Sequence, residues 1–423
     1  MGSNFQYLNW DKESGDFTRR DKVSEIIHGN CIEVLKRLDE NSIDAIITDP
    51  PYELGFMGKS WDKSGIAFNT EVWSECLRVL KPGGHMLAFG GSRTFHRIAV
   101  AIEDAGFELR DTLMWVYGSG FPKSHDVSKG IDKKKGKERK VIRKNPNDRE
   151  KRNNLMSDYG LHGGVGKGYI TAPATPEAQM WEGWGTALKP AFEPIILARK
   201  PISEKNIAEN VLKWGTGGIN IDDCRVEYNG AVKTCSRKSD GIKDHTNPSG
   251  WKEVNRTPNR PATPTEAGRW PTNLIHDGSD EVLELFPETK SGFMKSGTHR
   301  KMSDNPNKNV YGKYGPDTTI NDTYGDSGSA ARFFYCAKAS RKERGEGNNH
   351  PTVKPLALMQ YLVRLVTPPD GIVLDPFAGS GSTLIAATRE GLRYIGIELN
   401  EEYIEIAEKR LQAEQPLFEY NNT

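Results

Sequence analysis

The sequence has few of the features that define secreted, metal-binding and membrane-spanning proteins. It contains no Cys-Xaa-Xaa-Cys pair, and its five cysteines are scattered: Cys31, Cys76, Cys224, Cys235 and Cys336. Neither a disulfide framework nor a zinc site is indicated. No apolar run approaches the length of a membrane span, and residues 1–20 are polar and mixed in charge, unlike a secretory signal. We therefore expect a cytoplasmic protein with reduced thiols, no bound metal and no membrane partner.

The composition allows a large folded core, and the charge is distributed unevenly along the chain. Hydrophobic residues make up 36% of the 423 residues, enough for one large α/β domain and a second module. The formal net charge is only +1, yet residues 123–152 hold 13 lysines and arginines against five acidic residues, a net charge of +8. Such a segment fits contact with a polyphosphate. A solvated, disordered loop is the alternative, above all for residues 133–137.

An acidic turn after an apolar run is the most informative motif. Residues 43–48 form the run, and Asp49-Pro50-Pro51-Tyr52 follows it directly. The turn presents a carboxylate, a rigid backbone carbonyl and an aromatic face, which together can hold a planar base and accept both N–H bonds of its exocyclic amine. Because the lone pair of that amine is delocalised into the ring, an enzyme that methylates it needs such acceptors. A structural cap on the strand is the alternative interpretation.

A strand, a glycine-rich turn and a helix follow one another near the C-terminus. Residues 371–375 predict a short buried strand, residues 376–383 read Pro-Phe-Ala-Gly-Ser-Gly-Ser-Thr, and residues 384–390 predict a helix. Glycines let the backbone approach a ligand closely, as in nucleotide-binding α/β folds. The next predicted strand runs into Glu398, 23 residues after Asp375, close to the spacing at which an acid meets ribose hydroxyls.

The ligand predicted for this turn contains adenosine but no phosphate. Leu384 stands where a dinucleotide fingerprint requires a small residue, and neither Gly-Lys-Ser nor Gly-Lys-Thr occurs in the stretch. S-adenosylmethionine therefore fits better than NAD or ATP. A turn with a purely structural role is the alternative. The candidate cofactor-binding residues of this region are Asp375, Phe377, Gly379, Ser380, Gly381, Thr383 and Glu398.

The two turns and the stretch His350-Pro351-Thr352-Val353-Lys354-Pro355 together resemble the amino DNA methyltransferases of the beta class. The motif order is that of this class, with the catalytic motif first, a target-recognition region next and the cofactor motif near the C-terminus. The resemblance covers residues 24–120, 185–200 and 350–412. It implies an α/β fold with a Rossmann-like sheet and helices on both faces. It also implies S-adenosylmethionine as cofactor and double-stranded DNA as partner.

The resemblance further implies which residues act. It assigns catalysis to the acidic turn, namely Asp49, Pro50, Pro51 and Tyr52. It places three residues over the methionine end of the cofactor, namely His350, Thr352 and Lys354. This stretch can also cap a helix over residues 356–363, since Pro355 suits the start of a helix, and both roles can hold at once.

Asn30 departs from the pattern of the class. Residues 25–35 resemble the strand-to-helix stretch in which an Asp after the glycine contacts the cofactor adenine, but this chain has Asn30 there. Its amide oxygen can accept a hydrogen bond from adenine, or it can cap the following helix.

The acidic turn also favours one substrate. Relatives that act on cytosine N4 more often resemble Ser-Pro-Pro-Tyr, so Asp49 favours adenine N6, methylated on a flipped base by direct in-line displacement. Cytosine N4 is the alternative. Methylation of RNA or of protein glutamine is disfavoured by the motif order and the basic middle segment, and a non-catalytic DNA-binding protein by the intact motifs. A homodimer is compatible with the sequence, which identifies neither a restriction partner nor a recognition site.

The chain is predicted to divide into seven segments. These are an N-terminal arm (1–23), the catalytic half of the methyltransferase domain (24–120), a basic inserted loop (121–188), a strand at the sheet edge (189–200), the target-recognition region (201–345), the cofactor-binding half (346–415) and a tail (416–423). In the catalytic half we predict helices over 71–80 and 93–105 and a strand over 85–89. Strands over 112–117 and 193–198 are expected to pair as a hairpin.

Two further regions carry expectations. Residues 55–65 contain three glycines and predict a lid over the extruded base, with Lys59 or Lys63 near phosphate and Phe56 or Trp61 near the base. The target-recognition region predicts an irregular module with short strands, in which residues 333–335 are core rather than a stacking platform. Its candidate contacts to phosphate or guanine are Arg225, Arg256, Arg260 and Arg269.

Overall fold

The structure is a computed structural model, and its chain divides into two units. Unit 1 combines Met1–Asn220, Asn273–Ser279 and Cys336–Thr423, and unit 2 combines Ile221–Thr272 and Asp280–Tyr335. The residues that the structure describes are 8–10, 17–19, 24–54, 64–120, 124–144, 169–227, 268–291, 326–337 and 353–414.

The described strands are numbered in chain order. They are β1 (Leu8–Trp10), β2 (Phe17–Arg19), β3 (Glu25–His28), β4 (Ile43–Thr48), β5 (Leu80–Phe89), β6 (Glu108–Val116), β7 (Val141–Lys144), β8 (Tyr169–Thr171), β9 (Phe192–Arg199), β10 (Leu274–His276), β11 (Glu288–Ser291), β12 (Asp326–Ser329), β13 (Tyr335–Cys336), β14 (Ile372–Asp375) and β15 (Arg393–Glu398).

The described helices are numbered in the same way. They are α1 (Cys31–Leu35), α2 (Thr70–Val79), α3 (Phe95–Asp104), α4 (Val127–Lys134), α5 (Pro176–Met180), α6 (Ile207–Trp214), α7 (Asp280–Leu283), α8 (Leu356–Val366), α9 (Ser382–Arg389) and α10 (Glu401–Glu414). Short 3-10 turns cover Ile66–Phe68 and Ala330–Phe333. Among the described helices, none combines the length and the apolar character that crossing a membrane requires.

A nine-stranded sheet organises the fold, in the order β13-β10-β6-β9-β5-β4-β14-β15-β3. The five strands β3, β15, β14, β4 and β5 are parallel to their neighbours within this group. β9 runs antiparallel to both β5 and β6, and β10 runs parallel to β6. Because β4 and β14 are adjacent and parallel, the residues that follow them meet at one edge of the sheet, where open α/β folds bind ligands.

Two hydrophobic clusters of described residues pack helices on the sheet. One cluster unites α1, α2 and α3 with inward-facing side chains of the sheet, around the fully buried Trp73. A second cluster unites α8, α9 and α10 through Leu356, Leu384, Ile385 and Leu411. Burying each such large side chain contributes about 1.5–3 kcal/mol. The predicted α/β fold, with a Rossmann-like sheet and helices on both faces, is confirmed.

The strand predicted at the sheet edge lies inside the sheet, so that prediction was wrong. β9 pairs with β6 as expected, but its other side pairs with β5. Beyond β6 the sheet continues with β10 and β13, which come from a later part of the chain. A hairpin pattern identifies the neighbour of a strand, and it does not say which strands lie farther out.

β5 begins earlier than predicted. Leu80 already pairs with Ile43, and a register shift follows before Ala45 pairs with His85. The shift accommodates Pro82 and two glycines, which lie between the predicted helix over 71–80 and the predicted strand over 85–89. Gly83 has a φ of 81°, a conformation that favours glycine, so the extra residues are absorbed without breaking the pairing.

The basic segment predicted as a loop is folded in its described part. It contains α4, the antiparallel pair of β7 and β8, and α5. Asp126 caps α4 by accepting from the Lys129 N–H at 3.0 Å. The buried carboxylate of Asp132 accepts from the guanidinium of Arg139 at 2.8 Å, the hydroxyl of Thr175 at 2.8 Å and the Ala174 N–H at 2.9 Å. A polar network rather than an apolar face stabilises the segment, so no hydrophobic period in the sequence marks it as folded.

Unit 2 uses its described arginines to stabilise its own structure. Arg225 donates to Asp222 at 2.9 Å and lies 5.2 Å from the ring centroid of Trp270. Arg269 lies 5.0 Å from the ring of Phe333, and its backbone pairs with that of Val226. The other two candidate contact residues, Arg256 and Arg260, lie outside the described residues. So do residues 55–63, and with them most of the predicted lid.

Candidate active site

A cavity of about 960 Å³ in unit 1 gathers most of the predicted site residues. Its lining includes the residues that follow β3, β4, β5, β14 and β15, all at the carboxyl ends of these parallel strands. Predicted residues in the lining are Asn30, Asp49, Pro50, Pro51, Tyr52, Lys354, Asp375, Phe377, Gly379, Ser380, Thr383 and Glu398. Gly381 lies beside it as the N-cap of α9. His350 and Thr352 lie outside the described residues.

The two carboxylate oxygens of Asp49 differ in their partners. Oδ2 accepts a hydrogen bond from the ammonium of Lys354 at 2.6 Å. Oδ1 is buried and has no hydrogen-bond partner among the described residues. A buried acceptor without a donor is costly, and such atoms in native proteins mark ligand sites or functional strain. Asp49 therefore offers one free acceptor at the end of β4.

Lys354 lies among polar groups at the catalytic turn. Only 6% of the residue is exposed. Its Nζ donates to the hydroxyl oxygen of Tyr52 at 3.1 Å and lies 3.3 Å from Oε2 of Glu193. Burial acts to lower the pKa of Lys354, but the charges of Asp49 and Glu193 outweigh it and raise the pKa above its ordinary value. Lys354 is therefore an ammonium, and it contacts Asp49 of the catalytic turn.

Tyr52 is held at both its ring and its backbone. Its hydroxyl donates to Oε2 of Glu193 at 3.0 Å, and its carbonyl accepts from the hydroxyl of Thr94 at 2.7 Å. Burial and then the charges of Asp49 and Glu193 raise the pKa of Tyr52 well above its usual range. The phenol therefore stays protonated, and the ring is fixed in the cavity wall.

Asp375 links the glycine-rich turn to the catalytic strand. Its Oδ1 accepts from the hydroxyl of Thr48 at 2.7 Å and from the Phe377 N–H at 3.1 Å, and its Oδ2 accepts from the hydroxyl of Thr383 at 2.6 Å. Burial raises the pKa of Asp375 from 3.8 to about 6, although these hydrogen bonds act to lower it. Asp375 is thus a buried hydrogen-bond acceptor that fixes the conformation of the turn.

Glu398 closes the turn from the neighbouring strand. Its Oε2 accepts from the Gly379 N–H at 2.8 Å, and its Oε1 accepts from the Asn400 N–H at 2.8 Å. Burial raises the pKa of Glu398. Gly381 has a φ of 80°, and a Cβ at this position would lie 2.9 Å from Cβ of Ala407. The turn therefore requires glycine there and keeps its backbone close to the cavity.

Asn30 takes the capping role that sequence reasoning left open. Its side-chain oxygen accepts from the Ile32 N–H at 3.0 Å, at the start of α1. The residue also lines the cavity.

Sequence reasoning missed Glu193, Tyr117 and Thr48. Glu193 lies near the start of β9, and Oε1 of its carboxylate accepts from the hydroxyl of Tyr117 at 3.4 Å. An acidic residue at the head of an otherwise apolar strand was the one available indication. Among the described residues no cluster of His, Cys, Asp and Glu suits a metal ion.

Comparison with known proteins agrees with this arrangement. A sequence model of the N6/N4 DNA methylase family matches residues 43–409, and the chain belongs to this family. The type II methyltransferase M.HindIII of Haemophilus influenzae is 24% identical over 438 residues, which cover 94% of this chain and 97% of the relative.

Other similarities are local or distant. The putative methylase YubD of Escherichia coli is 55% identical over 67 residues, 16% of this chain and 30% of the relative. The DNA adenine methyltransferase YhdJ of Escherichia coli is 48% identical over 66 residues, 16% of this chain and 22% of the relative. This chain therefore spans less than a third of either relative. The solved M1.HpyAVI–SAM complex is 18% identical, with a TM-score of 0.39 over 92% of this chain and 98% of that one. That similarity carries no conclusion about substrate.

Proposed function

We propose that the protein transfers a methyl group from S-adenosylmethionine to the N6 amine of adenine in double-stranded DNA. The observation that carries the proposal is the free Oδ1 of Asp49 in the cavity that the glycine-rich turn also lines. One carboxylate oxygen has no donor and can accept from an amine, and a backbone turn suited to adenosine lines the same cavity.

The cavity residues fit the cofactor. Gly379, Ser380, Glu398, Phe377 and Asn30 all line the cavity. Backbone groups of the two turn residues, the Glu398 carboxylate, the Phe377 ring and the Asn30 amide would hold the adenosine part. Asp375 would act from behind the turn, through Thr383 and the Phe377 N–H. His350 and Thr352 are proposed to bind the methionine end of the cofactor. When bound, S-adenosylmethionine supplies an electrophilic methyl group.

The catalytic turn would prepare the amine. Oδ1 of Asp49 accepts one amine hydrogen, a carbonyl of the Asp-Pro-Pro segment accepts the other, and Tyr52 stacks on the flipped base. These contacts would localise the lone pair of the amine nitrogen, so that it can act as the nucleophile. The prolines fix φ on either side of the carbonyl, so the acceptors do not reorganise during the reaction.

Adenine is proposed over cytosine because the turn begins with Asp rather than Ser. The local similarity to YhdJ, whose name specifies adenine, supports the same choice. Methylation of the N4 amine of cytosine uses the same acceptors and remains the alternative. A substrate of this kind would place the protein in the cytoplasm.

The test is to incubate unmethylated genomic DNA with the protein and S-adenosylmethionine, and then to identify modified nucleosides by mass spectrometry. The expected product is N6-methyladenine at one sequence context, read by modification-sensitive sequencing. Detection of N4-methylcytosine instead would show that the substrate is cytosine rather than adenine. Methyl transfer to RNA or protein, with none to DNA, would refute the proposal, as would cofactor binding without any transfer.

A further inference from the structure

Glu193 has no role in the mechanism above, yet it contacts both Lys354 and Tyr52. We propose that Glu193 is a positioning residue for methyl transfer, which holds Lys354 and Tyr52 so that Oδ1 of Asp49 stays without a protein donor and can accept from the target amine. The inference rests on the proposed function, because it concerns the same site.

The backbone of Glu193 is fixed within the sheet. It lies on β9, between β5 and β6, where it pairs with Trp115 of β6. Its side chain is 20% exposed and points into the cavity wall. A carboxylate on an interior strand varies little in position, so it is a rigid anchor for mobile side chains such as that of a lysine.

The carboxylate of Glu193 uses its two oxygens for different partners. Oε2 accepts from the hydroxyl of Tyr52 at 3.0 Å and lies 3.3 Å from Nζ of Lys354. Oε1 accepts from the hydroxyl of Tyr117 at 3.4 Å. The contact with Tyr117 sets the orientation of the carboxylate. The contacts at Oε2 in turn position Tyr52 and Lys354 at the catalytic turn.

The three donors of the Lys354 ammonium have three acceptors around them. Asp49 lies at 2.6 Å, the Tyr52 hydroxyl at 3.1 Å and Glu193 at 3.3 Å. A buried ammonium proton without an acceptor is costly. If Glu193 were neutral, Lys354 would therefore move toward the remaining charge, the carboxylate of Asp49, whose Oδ1 has no donor among the described residues. The Lys354 ammonium would then cover the position required by the amine.

Electrostatics point in the same direction. Among the described residues, the charged and titratable groups that face Lys354 are Asp49 at the end of β4, Glu193 on β9 and the phenol of Tyr52. Asp49 and Glu193 both raise the pKa of Lys354 against the effect of burial. Removing the charge of Glu193 leaves Asp49 to hold the ammonium alone, so the pKa of Lys354 falls.

The test compares Glu193→Gln, Glu193→Asp and a matched control in the full-length protein. The control is Glu108→Gln, a carboxylate that pairs with Arg199 at 2.6 Å at the opposite end of the same two strands. Single-turnover methylation of DNA and the Kd for S-adenosylmethionine are measured for each, since product release can mask the chemical step.

Glu193→Gln is expected to slow single-turnover transfer by about 10- to 100-fold, the cost of misplacing reacting groups, while the Kd for the cofactor changes less than about twofold. Glu193→Asp restores the charge and recovers part of the rate. Glu108→Gln leaves both quantities unchanged. An unchanged rate in Glu193→Gln, or parallel losses of rate, cofactor affinity and thermal stability, would overturn the inference.

A second readout does not depend on turnover. The ammonium of Lys354 is followed by nuclear magnetic resonance of protein labelled with ¹⁵N-lysine, with the resonance assigned by Lys354→Met. Its titration is expected to move to lower pH in Glu193→Gln and to stay in place in Glu108→Gln. If the wild-type protein methylates no DNA but this shift occurs, only the proposed function fails. If the titration does not move, the role of Glu193 fails whatever the substrate.

Discussion

The hydroxyl of Thr48 donates a 2.7 Å hydrogen bond to Oδ1 of Asp375, although 327 residues separate the two in sequence. Thr48 ends β4 and Asp375 ends β14, and the two strands are parallel neighbours. The bond therefore ties the strand before the catalytic turn to the strand before the glycine-rich turn. Two motifs that are remote in the chain open into one cavity because of this pairing.

Replacing Thr48 by valine tests that link. Thr48→Val keeps the shape of the side chain but leaves the buried carboxylate of Asp375 with one donor fewer, so we expect a loss of about 1–3 kcal/mol in the free energy of unfolding. Urea denaturation measures it. Thr112→Val, an exposed threonine on β6, is the control and should stay within about 0.5 kcal/mol of wild type. Equal stability of the two variants would show that the link contributes nothing.

The raised pKa of Asp375 predicts a pH dependence. In the folded protein burial raises it from 3.8 to about 6, so the folded state holds the proton more tightly than the unfolded state. The resulting stability is fully present below pH 3.8 and is lost as the pH rises through about 6. Relative to Asp375→Asn, which does not titrate, wild type should lose about 3 kcal/mol across this range. Urea titrations at several pH values measure the difference, and a constant or growing difference contradicts the assignment.

A substitution at Gly381 tests whether the glycine-rich turn needs its observed conformation. Gly381→Ala places a Cβ at a φ of 80° and 2.9 Å from Ala407, so we expect a loss of about 1–3 kcal/mol and weaker cofactor binding. Gly130→Ala is the matched control, because no atom lies within 4 Å of its new Cβ on α4. That variant should gain about 0.5–1 kcal/mol. Calorimetry measures cofactor affinity in both, and normal affinity in Gly381→Ala would argue against the role of the turn.

Replacing lysines of the folded basic segment tests whether this segment contacts DNA. Lys133, Lys134 and Lys137 are exposed at the end of α4 and just beyond it. If each meets a phosphate, replacing all three by glutamine reduces the slope of log affinity against log salt by about 3. The control replaces Lys205, Lys213 and Lys409, exposed lysines elsewhere in unit 1. Titration of a DNA duplex at several salt concentrations gives the slopes, and equal slopes would remove this segment from the interface.

Local motifs made part of this structure predictable from sequence. β4, β14 and α9 were predicted to within a few residues, because buried parallel strands are short apolar runs and glycines mark their ends. The parallel sheet then requires the residues after β4 and β14 to meet, which is why the acidic turn and the glycine-rich turn could be expected in one cavity.

The contacts within the cavity could not be predicted in the same way. Glu193 reaches Tyr52 across 141 residues because β9 inserts between β5 and β6, and no local pattern specifies that insertion. Lys354 was expected at the cofactor and lines the cavity, but no motif indicated that its ammonium contacts Asp49. The basic segment was misjudged because buried Asp132 organises it through hydrogen bonds, which leave no hydrophobic period in the sequence.

The most direct test of the account is the methyl-transfer rate and the cofactor affinity of Asp49→Ala, measured on the same preparation. Lys354 keeps Glu193 as a partner in this variant, so the cavity wall and the glycine-rich turn should persist. We predict that single-turnover transfer falls by at least about 10²- to 10³-fold while the Kd for S-adenosylmethionine changes less than about twofold. A near-normal transfer rate, or a loss of cofactor affinity as large as the loss of rate, would contradict it.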